Sequence, residues 1–111
     1  MAWLHNPAKM RRTIDVEFHP NRNIKLQHVL ENGYLVEAII YHENGGGIHS
    51  VTPYRDGFVD GTEKVYDERG RLIMEIEYSG GELHGYTYVY TEDGSLEYTQ
   101  LYRHGSLIDT W

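Results

Sequence analysis

Along much of the chain, hydrophobic and polar residues alternate with the period of two that marks a half-buried strand. In 72–78, Leu72, Met74, Ile76 and Tyr78 point one way while Ile73, Glu75 and Glu77 point the other, and 96–102 repeats this with Leu96, Tyr98 and Tyr102 against Glu97 and Thr99. Near the start, Ile14, Val16 and Phe18 oppose Asp15 and Glu17. The alternation predicts one aromatic and aliphatic face and one acidic face. Segments rich in Tyr, Val, Ile and Thr are separated by turn chemistry. The pairs Asn32-Gly33, Asn44-Gly45, Asp56-Gly57 and Asp93-Gly94 suit the positive φ of tight reverse turns. No stretch keeps helical periodicity over about ten residues, and the turns recur too often for βαβ crossovers. The pattern predicts an all-β fold, an antiparallel single-layer meander of about eight or nine strands.

A repeat underlies the pattern. Tyr54, Tyr78 and Tyr102 stand 24 residues apart, as do Gly57, Gly81 and Gly105. The same offset joins Tyr66 to Tyr90, Gly70 to Gly94, Leu72 to Leu96 and Gly61 to Gly85. Extended upstream, it puts Phe18 and His42 at the first aromatic position and Arg22 and Gly46 at the first glycine. Ile24 and Ile48 then fall at the aliphatic position, Leu30 at the second aromatic and Gly33 at the second glycine. Four copies therefore run over 18–111, the last truncated, within a single domain spanning 1–111. Arg22, Leu30, Glu37 and Asp109 replace consensus residues. Residues 1–17 precede the repeat as a cap or an added strand.

Composition narrows the function. A chain of 111 residues buries one modest core, and its ten tyrosines and twelve glycines are mostly absorbed as repeat positions. Seventeen acidic against ten basic residues give a net charge of -7, which disfavours direct nucleic-acid binding. The absence of cysteine excludes disulfides, thiol catalysis and cysteine-based metal sites. The start, MAWLHNPAKMRR, lacks the apolar stretch of a signal peptide, and no run approaches the roughly 20 apolar residues of a membrane span. A cytoplasmic protein is expected.

The segments YRDGFVDG, YSGGELHG and YRHGSL, with their following strands and G-x-L turns, resemble the MORN-like repeat in its bacterial variant, that of the YwqK-type antitoxin family. The resemblance is tight from Tyr54 to Leu107 and looser from Phe18 to Pro53. It implies a single-layer β-meander that binds proteins, toxins among them. The MORN name is also linked to membrane association.

Candidate chemistry is sparse. His42, Glu43 and His49 flank the Gly45-Gly46-Gly47 turn, but zinc takes about three or four oriented ligands and His42 stands at an aromatic position of the repeat, so no metal or cofactor is expected. Glu75 and Glu77, about 7 Å apart along a strand, suit an acid and base on spacing alone, yet a flat sheet offers no cleft. Ser50 and His49 are chain neighbours on a strand and point to opposite faces. The triglycine lacks the lysine and hydroxyl of a phosphate loop and reads as a turn with one extra residue. Lys9, Arg11 and Arg12 with Trp3 make a short basic arm, weak as a membrane anchor; Trp3 and Leu4 are expected to cover the open end of the sheet.

The expected function is non-enzymatic: an antitoxin or immunity protein that occludes a cationic, nuclease-like toxin through Asp15, Glu17, Glu63, Glu75, Glu77 and Glu97. The expected partner is a protein, a toxin or a defence effector, bound by a monomer or homodimer. The alternatives are a phage-encoded inhibitor of a bacterial defence system and a self-associating or membrane-associated MORN scaffold.

Overall fold

A computed structural model describes residues 11–111. Among the described residues ten strands follow one another without a helix: β1 Arg12–Phe18, β2 Ile24–Glu31, β3 Tyr34–Tyr41, β4 Ile48–Arg55, β5 Phe58–Val59, β6 Gly61–Tyr66, β7 Leu72–Ser79, β8 Glu82–Tyr90, β9 Leu96–Arg103 and β10 Ser106–Thr110. Every pairing is antiparallel, in the order β1-β2-β3-β4-β6-β7-β8-β9-β10, with β5 set aside against β4. The fold is the expected meander. The strand count rises to ten because 58–66 breaks at Asp60, whose N–H donates to the Pro53 carbonyl (3.1 Å) before Gly61 restarts the strand at φ 109.

The 24-residue offset reappears in the backbone. Strands β2, β4, β7 and β9 begin at Ile24, Ile48, Leu72 and Leu96. Two-residue turns with positive φ at both positions sit at Asn32-Gly33, Asp56-Gly57, Gly80-Gly81 and His104-Gly105, the type I′ geometry that matches strand twist. Between copies, the N–H groups of His19, Asp67 and Thr91 donate to the carbonyls of Asn23, Arg71 and Ser95 at 2.7, 2.9 and 2.8 Å. The left-handed residues of these turns are Arg22, Gly70 and Gly94. The fourth such turn is wider: the His42 N–H donates to the Gly47 carbonyl (2.8 Å) across Gly45 and Gly46, both at positive φ. In Asn44-Gly45 and Asp93-Gly94 only the glycine takes positive φ. Asp93 instead accepts the Ser95 N–H on Oδ1 (3.1 Å).

Register settles which side chains share a face, because directly opposed residues of an antiparallel pair point the same way. One row crosses the sheet as Glu17, Leu26, Ile40, Ser50, Val65, Met74, Val89 and Tyr98. The adjacent row, on the opposite face, runs Val16, Gln27, Ile39, Val51, Lys64, Glu75, Tyr88 and Thr99. We call these the first and second faces.

The core is thin. Among the described residues the buried ones are Ala38, Ser50, Thr52 and Thr87 on the first face and Val29 on the second, and no large side chain is fully buried. The Cα radius of gyration is 17.1 Å, against about 13 Å for a compact chain of this length. Both edge strands are exposed along their whole length.

Candidate functional site: an acidic and aromatic sheet face

The six acids expected to share a face are divided. Asp15, Glu17 and Glu63 lie on the first face, opposite His28, Leu26 and Ile76. Glu75 and Glu77 lie on the second, and Glu97 is left unpaired at the bulge where β9 passes Val89 and Tyr90. The expectation of one aromatic and one acidic face is thereby corrected. Alternation sorts side chains within a strand, but which side faces which is set by register across each turn. In β1 that register sends Ile14 and Val16 to the second face, beside Val29 and Gln27, and leaves Asp15 and Glu17 on the first.

Three of the acids are occupied within the fold. Glu63 Oε2 accepts the Thr52 hydroxyl (2.5 Å). Burial, then the negative charge of Glu63, push the Tyr78 hydroxyl above its ordinary pKa. Glu75 Oε1 accepts the Tyr90 hydroxyl (2.6 Å), and this bond, with burial adding to it, raises the Tyr90 pKa to about 12. Glu77 Oε1 accepts the Tyr86 N–H (2.5 Å) where β8 bulges. A Cβ on Gly85 would meet that oxygen at 2.7 Å, and φ +107 there already favours glycine. Glu75 and Glu77 thus stitch β7 to β8 and do not form a free acid and base pair. Asp15, Glu17 and Glu97 are exposed.

Beside these acids the structure assembles an aromatic cluster that the alternation alone did not reveal. Tyr86 and Tyr88 stack with ring centroids 5.9 Å apart, and Trp111 leans over Tyr86 at 6.3 Å. Trp111 is held next to β9 by a reciprocal backbone pair with Thr99, and Thr99 opposes Tyr88. Tyr86 is 41% exposed and Trp111 60%. The signal in the sequence is the spacing of Tyr86, Tyr88 and Tyr90, which puts three tyrosines on one side of β8.

Four of the histidines form two pairs. His42 and His49 meet edge to face at 4.8 Å, with His42 Nε2 3.1 Å from the Tyr66 carbonyl. His84 and His104 lie 4.7 Å apart, with His84 Nδ1 accepting the His104 N–H (3.1 Å). Among the described residues no group of three or more His, Cys, Asp or Glu is placed to hold a metal ion. Surface recesses lie near the strand ends, one between the turns at Gly33 and Gly57 and another beside Gly94. Trp3, Leu4 and Lys9, expected to cap the sheet, lie outside the described residues. Arg12 reaches Glu31 on β2 at 3.3 Å. No helix among the described residues is long and apolar enough to cross a membrane. Comparison with family models, curated proteins and solved structures gives no match.

Proposed function

We propose that this chain is a non-enzymatic protein-binding inhibitor: an antitoxin or immunity protein of the MORN-like, YwqK-type class, which neutralises a cationic, nuclease-like toxin by covering it. The observation that carries the reading is the open single-layer sheet. A sheet with two half-exposed faces and five buried residues leaves most of its side chains to be covered by something else. Its charge of -7 suits a cationic partner, since complementary fields raise the association rate and block the path of a polyanionic substrate. The tie-up of Glu63, Glu75 and Glu77 in internal hydrogen bonds supports a binding role over acid–base chemistry.

Affinity capture with the full chain from its native cell tests the proposal. A basic protein is expected, released by salt and inhibited when the pair is reconstituted. Capture of a partner whose activity is unchanged by binding would count against inhibition, and a strictly neutral or acidic partner against the charge argument. Glu97→Lys reverses charge on β9, and the pair Asp15→Lys with Glu17→Lys does so on the first face of β1, all at exposed positions. The expected outcome is slower association for Glu97→Lys, with the other pair close to the parent.

A further inference from the structure

Resting on the protein-binding reading above, we propose that the cluster of Tyr86, Tyr88 and Trp111 is a docking site for an arginine-bearing segment of the partner protein. Three adjacent strands put the rings side by side: Tyr86 and Tyr88 come from β8 and Trp111 follows β10, with Thr99 and Leu101 of β9 between them. The rings are partly open to solvent, unlike the small buried side chains of the first face.

Carboxylates flank the cluster on both sides. Glu75 opposes Tyr88, Glu77 holds the Tyr86 N–H, and Asp109 opposes Leu101, which in turn opposes Tyr86. From β6 to β10 the paired acids of this face are Glu75, Glu77, Asp109 and, at the hairpin end, Glu82, against Lys64 and, also at the hairpin end, Arg103. Among the described residues, Glu75 and Glu77 each use only Oε1 in hydrogen bonds, which leaves Oε2 for a ligand.

Aromatic faces edged by carboxylates match a guanidinium. Its planar surface stacks on rings while its N–H groups, arrayed in the plane, reach the oxygens around them. A lysine ammonium satisfies the charge but cannot stack, and an apolar segment would bury the carboxylates without partners. The chemistry therefore selects arginine.

The test is an NMR titration of the full chain with two capped peptides, Gly-Arg-Gly-Arg-Gly and Gly-Lys-Gly-Lys-Gly. The arginine peptide is expected to bind at least about threefold more tightly, with the largest shifts at the Trp111 indole N–H and the Tyr86 and Tyr88 amides. The double variant Tyr86→Leu with Trp111→Leu, its fold checked by amide dispersion, is expected to lose roughly tenfold in affinity. Equal affinity for the two peptides, shifts centred elsewhere, or unchanged binding by a folded double variant would overturn the proposal. If the double variant does not fold, the peptide preference and the location of the shifts in the parent chain decide by themselves. Failure here is separable from failure of the inhibitor reading. A partner captured equally well by parent and double variant overturns the arginine site alone, whereas a chain that captures no protein leaves the peptide result standing and removes the antitoxin.

Discussion

Arg22 holds φ at 71, a left-handed backbone that a side chain disfavours, at the position where the other three copies place Gly46, Gly70 and Gly94. Its turn is closed by the same backbone hydrogen bond as those at Gly70 and Gly94, so the strain sits in an otherwise ordinary corner. Arg22→Gly is expected to stabilise the fold by about 0.5–1 kcal/mol, read as a higher urea midpoint at unchanged slope. Gly94→Ala should move the midpoint the other way. At Tyr90 the folded pKa of about 12 lies above the ordinary 10.0. The stabilisation linked to this hydroxyl is therefore complete below pH 10 and is lost as pH climbs from 10 towards 12. Ultraviolet titration should find one tyrosine ionising near 12, and Glu75→Gln should return it towards 10. A parent chain whose tyrosines all ionise near 10 would refute the bond.

Among the elements, two of the turns between copies are locked by acids, Asp67 and Asp93. Asp67 is held below its ordinary pKa of 3.8 first by the Arg71 N–H, with the Arg71 guanidinium and the Arg69 N–H adding to it. Asp93 is held down first by the Thr91 hydroxyl and then by the Ser95 N–H. Both contribute stability that is full above pH 3.8 and lost as pH falls through their lowered values. Asp67→Asn is expected to be less stable than the parent near neutrality, with the gap narrowing on acidification; a constant gap in denaturation midpoints from pH 7 to about pH 2.5 would contradict this. These corners, and the strands between them, were legible in the sequence, because a glycine or asparagine at a fixed offset is a local requirement of the backbone. The faces were not. Glu63 alternates with Thr62 and Lys64, and its side becomes known only once Val65 is matched to Met74 across the turn. The bulges before Phe18, Tyr66 and Tyr90 shift register again; they fall at the first aromatic position of three repeat copies, which marks their place but not the face that each following residue takes. For the same reason alternation alone does not separate Asp15, Glu17 and Glu63 from Glu75 and Glu77, nor bring Trp111 beside Tyr86.

Taken whole, the molecule trades a core for surface. Its principal extents of 56 × 38 × 21 Å describe a twisted plate. Solution scattering from the monomer is expected to give a radius of gyration close to 17 Å; a value near 13 Å would mean the sheet closes on itself. Few contacts join strands that are distant in sequence, since each pairs with its neighbours in the chain, apart from the β5 detour. The regular beat of strand starts at Ile24, Ile48, Leu72 and Leu96 then has a consequence for how such a molecule changes over generations. Each unit adds two strands, about 9.5 Å of width, and hands the chain on in the direction it arrived. In-frame duplication or loss of one unit would widen or narrow the plate without redrawing the rest, so its reach is a heritable length that a single recombination event can reset.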